Sequence, residues 1–273
     1  MDACSQSNPK ILQTCYFSRS REGEQFIPEH VLSFQVSGTL TVDDGKKTYV
    51  LEEGDLRLYR RNKLAKFVKE PPVDGEFRII SIYLDQETLR KLSKELNIKV
   101  TKPADISDSI ITLSDHLLYK SYIDSLGVYL QLPEEEQNAI METKVKEAVQ
   151  LLLKINPELK DILFDFDDPG KIDIEAFMLK NFHFNVQLSR FAYLTGRSLS
   201  TFKRDFEKIF HTTPSRWLIQ QRLREAYYLI KEKGRQPSDV YLDVGFEDLS
   251  HFSYAFKQLF GHNPSQVAKM GDI

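Results

Sequence analysis

Two stretches near the C-terminus carry the same pattern about fifty residues apart, and a chain built this way is constrained to fold two copies of one small unit there. The first runs from Gly196 through Ser198, Phe202, Phe206 and Phe210 to Pro214-Ser215, and the second from Gly245 through Asp248, Phe252, Phe256 and Phe260 to Pro264-Ser265. From Leu199 and Leu249 onward the offset is a constant 50, whereas the glycines are offset by 49, so the second turn has gained one residue.

Each copy predicts a short helix, a glycine turn and a second helix, the pattern of a helix-turn-helix. In the first, Leu188, Phe191, Ala192 and Thr195 fall at helical spacing, and Gly196 can take the left-handed conformation that stops a helix. Ser198 then offers a hydroxyl as N-cap to a helix whose expected apolar face is Phe202, Phe206, Ile209 and Phe210, and Pro214 closes it. In the second, Val240, Val244 and Gly245 play the same parts, Asp248 is the cap, and Phe252, Phe256, Leu259 and Phe260 form the stripe. Core packing accounts for all these aromatic residues.

With Phe202 and Phe206 turned inward, Ser200, Lys203 and Arg204 face outward near the start of their helix, the part of a recognition helix that meets base edges in the major groove. Arg204 suits bidentate donation to guanine O6 and N7, and Lys203 suits a base or a phosphate. An ordinary solvated face is the competing explanation; duplication and capping weigh against it. The second helix offers Leu249, Ser250, His251, Ser253, Tyr254 and Lys257, a less basic face expected to read fewer bases, with Leu249 equally suited to core. The candidate DNA contacts are therefore Ser198, Ser200, Thr201, Lys203 and Arg204 in the first unit and Ser250, His251, Ser253, Tyr254 and Lys257 in the second.

A helix from about Pro214 to Lys231 is expected between the copies, with Trp217, Ile219, Leu223, Ala226, Tyr227 and Ile230 as its apolar stripe and Gly234 and Pro237 ending it. Roughly 17 residues span about 26 Å, enough to hold two readers near the ~34 Å separation of successive major-groove faces.

Residues from about Ile172 to Met270 resemble the DNA-binding domain of the AraC/XylS family of bacterial transcription regulators. The resemblance rests on Phe191-Ala192, Leu194, Gly196, Ser198, Phe202 to Phe206, Phe210, Pro214, the run Arg222-Leu-Arg-Glu-Ala226, Asp243-Val-Gly-Phe246, Phe252-Ser253, Ala255-Phe256-Lys257, Phe260-Gly261 and Pro264-Ser265. It implies two helix-turn-helix units joined by a long helix, double-stranded DNA as partner, and activation through contact with RNA polymerase. Tyr254 stands where members of the family commonly place an arginine, so the second unit is expected to contribute less base-specific contact.

Charge is distributed accordingly. Residues 171–273 hold 15 Lys and Arg against 11 Asp and Glu, while residues 1–170 hold 22 against 29. The C-terminal part suits a polyanion and the N-terminal part does not, so the whole-chain pI near 6.1 conceals the asymmetry. The two cysteines, Cys4 and Cys15, lack partners at metal-ligand spacing and read as free thiols in a reducing compartment. The richest apolar stretch, Val149 to Ile155, is too short to cross a bilayer, and no signal segment opens the chain; a cytoplasmic protein with no membrane partner is the expectation.

The N-terminal half reads as β-structure: Val31–Val36, Thr39–Val42, Thr48–Leu51, Leu56–Tyr59, Ala65–Val68 and Phe77–Leu84 are rich in β-branched and aromatic residues, separated by turns such as Asp43-Asp44-Gly45 and Glu52-Glu53-Gly54-Asp55. Such spacing predicts a small barrel or jelly roll. The stretch from Gly38 to Leu56 is similar to the cupin-like sensor domain at the N-terminus of many AraC-type regulators. A cupin can be an enzyme, so a small-molecule-binding or metal-dependent cupin fused to a DNA-binding domain is the alternative function. Metal chemistry needs clustered imidazoles and carboxylates; the barrel region holds one histidine, His30, expected at a surface or strand end. No metal site, cofactor or catalytic residue is expected, since phosphate-loop and nucleophile-elbow motifs are also absent.

A basic cluster marks a candidate effector site at Arg57, Tyr59 and Arg61. Strand alternation puts Arg57 and Tyr59 on one face and Leu56 and Leu58 on the other; the leucines have the stronger claim on the interior, which places Arg57 outside. Helices are expected at roughly Gln86–Leu96 and Pro133–Ile155. The stripe Ile140, Val145, Val149, Leu152 and Leu153 of the second must be covered, by another subunit in a homodimer or by the chain's own helical layer.

The reading is an α+β protein of two domains. Residues 1–165 form a cupin-like sensor and dimerisation domain, with a β-barrel at about 11–84 and a helical part at 85–165. Residues 166–171, whose acidic run Asp165 to Asp168 has hinge composition, are the linker, and residues 172–273 form the all-α double helix-turn-helix domain. Its function is sequence-specific transcription regulation, controlled through the first domain by a small effector or a regulatory protein.

Overall fold

The fold comes from a computed structural model in which residues 10–21, 24–98, 100 and 108–270 are described, the side chains of 134–139 and 269–270 excepted; Cys4 falls outside them. The chain divides into two compact units, Met1–Gly23 with Ile27–Asp167, and Glu24–Phe26 with Asp168–Ile273.

The first unit contains strands β1 (Ile11–Tyr16), β2 (Phe26–Ile27), β3 (His30–Ser37), β4 (Thr39–Asp43), β5 (Thr48–Leu51), β6 (Leu56–Tyr59), β7 (Lys63–Leu64), β8 (Lys66–Glu70), β9 (Phe77–Leu84) and β10 (Ile110–Thr112). Its helices are α1 (Gln86–Glu95), α2 (Leu117–Tyr129), α3 (Glu134–Ile155) and α4 (Lys160–Leu163). An antiparallel sheet in the order β1-β9-β3-β6-β10 is accompanied by a three-stranded sheet, β5-β4-β8, and a β2-β7 ribbon. Alternation along the long strands divides the larger sheet between two cores. One face sends Leu32, Leu56, Leu58, Ile82 and Leu84 into a core shared with the four helices. The other sends Tyr59, Phe77, Ile79 and Ile110 against Leu40, Val42, Tyr49 and Leu51 of the smaller sheet.

This two-sided burial corrects the placement of Arg57 and decides two further expectations. Leu56 and Leu58 do face a core, but a helical one, so Arg57 and Tyr59 turn into the layer between the sheets; the Arg57 side chain is only 12% exposed. Along α3, Val145, Val149 and Leu152 are buried in the unit's own core, so of the two covers expected for this stripe, a second subunit or the chain's own helical layer, it is the helical layer that takes it. His30 begins β3, at a strand end, yet is buried.

The second unit is helical: α5 (Ile174–Asn181), α6 (Leu188–Leu194), α7 (Leu199–Phe210), α8 (Pro214–Lys231), α9 (Pro237–Asp243), α10 (Leu249–Phe260) and α11 (Pro264–Met270). Helix α8 serves two cores in succession. Near its start Trp217 packs among Phe206, Phe210 and Phe182. Near its end Leu223, Ala226 and Ile230 join Val240, Val244, Phe252 and Phe256. The stripes of α7 and α10 are narrower than expected: Ile209 and Leu259 are 40% and 41% exposed, because three phenylalanines over two turns fill each small core, and in α8 Leu218 is buried while Ile219 faces out.

Candidate nucleic-acid interface

The two turns are built by one set of bonds. After α6 the Gly196 and Arg197 N–H groups donate to the Tyr193 and Ala192 carbonyls; after α9 the Gly245 and Phe246 N–H groups donate to Leu242 and Tyr241. Both glycines take positive φ, +67° and +98°, which a side chain would resist. A Cβ on Gly196 would also lie 2.5 Å from the backbone of Gly170. Each following helix is capped by its first polar residue: Ser198 accepts from the Thr201 N–H (3.3 Å) and Asp248 from the His251 N–H (2.6 Å).

Beyond the caps, α7 buries Phe202 and Phe206 and leaves Ser200, Lys203 and Arg204 exposed. The same positions of α10 bury Phe252 and Phe256 and expose Ser250, His251, Tyr254 and Lys257, with Tyr254 67% exposed. Thr201 and Ser253 are half-buried, and the Ser198 and Thr201 hydroxyls lie 3.0 Å apart. Leu249 is exposed, which places it on the outer face with the polar residues and not in the core. His251 packs its ring edge-on to Phe246 at 5.5 Å.

Arg204 is poised rather than bound: its Nε and Nη2 donate to Asp205 Oδ1 over 3.4 Å, on a side chain 65% exposed. An exposed pair this long is weak and screened by solvent, so a competing acceptor can displace it. Asp205 is held from the other side by Arg197 (3.2 Å), and both arginines keep its carboxyl below the usual range even against desolvation. Arg197 further donates to the Ile172 and Thr195 carbonyls. Arg197 and Asp205 hold Arg204 in place, a role that the sequence did not single out and that only their i, i+8 separation across a turn marks.

Arg222 has a role that its place in the run Arg222-Leu-Arg-Glu-Ala226 did not show. Buried at the middle of α8, it donates to the carbonyls of Phe182 (2.8 Å), Phe184 (2.7 Å) and Gly245 (2.8 Å). Burial pushes its pKa down to about 10, so it stays charged at neutral pH.

The effector candidates do not converge. Arg57 and Tyr59 share the inner face of β6, opposite Ser33 and Val31 of β3. Arg57 Nη2 reaches Asp55 at 3.2 Å, while its Nε and Nη1 and the Tyr59 hydroxyl are buried without hydrogen-bond partners. Burial pushes the Tyr59 hydroxyl pKa upward, so it remains a donor. Arg61 points elsewhere, donating through Nη2 to the carbonyls of Asp165 (2.7 Å) and Asp167 (2.8 Å). Among the described residues no group of three or more His, Cys, Asp or Glu is placed to hold a metal, and no helix is long and apolar enough to cross a membrane.

Comparison with known proteins assigns both units. The profile of a helix-turn-helix domain family matches residues 191–270, and that of the ExsA N-terminal regulatory domain matches residues 30–162. The chain belongs to the AraC/XylS family. It is 23% identical over 236 residues to the HTH-type transcriptional regulator ExsA of Pseudomonas aeruginosa, covering 85% of this chain and 83% of that one. It is 26% identical over 246 residues to the virulence regulon transcriptional activator VirF of Yersinia enterocolitica, covering 85% and 86%. A crystal structure of apo ToxT K231A from Vibrio cholerae is 13% identical and covers 96% of this chain and 98% of its own, with a TM-score of 0.45. As an AraC/XylS protein the chain is a DNA-binding transcription regulator, and duplex DNA is the partner of its helix-turn-helix units.

Proposed function

We propose that the protein activates transcription by placing α7 and α10 in successive major-groove faces of one duplex. The carrying observation is the paired display: two helices capped alike at Ser198 and Asp248, each with two phenylalanines inward and a polar set outward, joined by α8. Ser200, Lys203 and Arg204 read bases directly, while Ser250, His251, Ser253, Tyr254 and Lys257 add register, shape and phosphate contacts. Ser198 and Thr201, whose hydroxyls lie together at the cap, contact a phosphate at the start of α7. Activation is supported by the likeness to a relative named a transcriptional activator, VirF, and contact with RNA polymerase is the step assigned to it here. Enrichment from a random duplex library tests the proposal. A motif of two elements about one helical turn apart is expected; weak, salt-sensitive binding without any motif would reject it.

Control through the N-terminal unit is assigned to a small anionic effector at Arg57 and Tyr59, because buried donors without partners are costly and a carboxylate would satisfy them. Thermal shift against a panel of small carboxylates and phosphate is expected to show stabilisation that Arg57→Met removes. No shift across the panel would favour a regulatory protein instead. An enzymatic role for this unit is the weaker reading, since both relatives are named as transcription regulators; elemental analysis of the purified protein tests it.

A further inference from the structure

We propose that Arg222, assisted by Glu247, is a positioning residue that fixes the distance and phase between the two recognition helices and thereby sets the spacing of the DNA elements the protein accepts. Three observations meet at one point. Arg222 lies midway along α8, between the Trp217 end that packs on the first copy and the Tyr227 end that packs on Phe256 and Phe260 of the second. Its guanidinium donates to carbonyls of both halves: Phe182 and Phe184 follow α5 in the first, and Gly245 is the turn glycine of the second. The planar fork makes these bonds in a fixed geometry that an ammonium cannot reproduce.

The third observation concerns the residue gained in the second copy. Between glycine and cap the first turn has only Arg197, whereas the second has Phe246 and Glu247. Glu247 Oε1 accepts from Asn185 Nδ2 of the first half at 2.6 Å, and its charge faces Arg222 favourably. The one residue inserted between the copies thus lies where the halves are joined. Gly245 completes the junction: a Cβ there would come within 2.7 Å of the His183 carbonyl and 2.9 Å of Arg222 Nε, so the second turn can approach this closely only without a side chain.

Geometry converts this staple into selectivity. One added base pair turns the second element by about 35° around the duplex, which a reader pair of fixed phase cannot follow. A pair joined by packing alone could swing with it.

The inference rests on the DNA-reading roles of α7 and α10, so the experiment has one arm that depends on them and one that does not. In full-length protein with Cys4→Ser and Cys15→Ser, spin labels at Lys208→Cys and Gln258→Cys, equivalent exposed positions of the two helices, report their separation by double electron–electron resonance. The parent is expected to give one narrow distance, Arg222→Lys a distribution at least twice as wide, and the exposed Glu247→Ala a smaller broadening in the same direction. The second arm measures binding to duplexes whose enriched elements are moved apart or together by one base pair. The parent should lose at least tenfold in affinity and Arg222→Lys no more than threefold, with binding to either element alone unchanged. An unaltered distance distribution in both variants, with only a lower melting temperature, would overturn the proposal and leave Arg222 a stabilising residue. Broadened distances in a protein that enriches no DNA motif would support the staple and reject the recognition roles.

Discussion

At the scale of single residues, Arg204 and Tyr254 make the sharpest contrast, because they stand at offset-50 positions on two helices that otherwise match. Arg204→Ala is expected to weaken binding to the enriched site by about 1–3 kcal/mol and to relax selectivity at one base pair. Tyr254→Ala should cost less. Competition binding against single-base variants of the site checks both; equal losses for Arg204→Ala on every sequence would reduce it to a phosphate contact. His30 yields a prediction of another kind. Burial first, then the nearby Arg61 and Arg60, lower its pKa to about 3, and the Arg61 N–H donates to Nδ1 at 3.3 Å, so the folded state holds it neutral. The unfolded chain takes up a proton below about 6.5. The stability it contributes is therefore complete above that pH and is lost as pH falls toward 3, at about 1.4 kcal/mol per pH unit. Denaturant unfolding at pH 7 and 4.5 should show His30→Gln losing about 2–3 kcal/mol less than the parent over this interval. Parallel losses in the two proteins would show that His30 titrates normally.

At the scale of elements, the repeat predicts its own repair. Both recognition helices end in a left-handed residue, Gly261 at φ +79° in α10 but His211 at φ +54° in α7. A side chain in that region costs about 1–2 kcal/mol relative to the right-handed form, so His211→Gly should stabilise the second unit by about 1 kcal/mol, read as a shift in its denaturation midpoint. A lower midpoint would mean that the imidazole makes a contact outweighing the strain. The repeat also explains what was legible. Phenylalanines at i, i+4 and i+8 beside a cap and a glycine placed α7 and α10 correctly, because local periodicity and turn chemistry agree there. Residues such as Ile209 and Ile219 continued the pattern yet face solvent, since periodicity shows a stripe but not its width. In the first unit β10 has three residues and β7 two, too short for alternation to register, and α2 runs Leu117-Leu-Tyr-Lys-Ser-Tyr-Ile with no clear polar face. Arg57 was misplaced for a related reason: alternation separates two faces, and only tertiary structure reveals that both are buried. The roles of Arg197, Asp205 and Arg222 depend on partners far along the chain, which local patterns do not carry.

At the scale of the whole molecule, the question is how the protein associates, and α3 is no longer the face to consider. Its stripe is spent inside the first unit, whereas α2 carries Leu117 and Val128, eleven residues or about three turns apart on one side, 78% and 66% exposed. Two large aliphatic side chains flank the exposed Ser121 and Asp124 on one side of the helix, while Tyr119, Tyr122, Ile123 and Leu126 fill the core from the other, so the outer face offers two apolar contacts about three turns apart that two copies can share around a two-fold axis. A homodimer through α2 is therefore expected, seen by sedimentation equilibrium at micromolar concentration and lost in the Leu117→Glu, Val128→Glu double variant without loss of helix content. Because each chain carries two reading helices, the monomeric variant should still bind one site with parental affinity but lose cooperative filling of neighbouring sites. A parent that sediments as a monomer would remove this face from consideration. A double variant that remains dimeric would place the interface on another face of the first unit, and in either case recognition of a single site would rest on one chain.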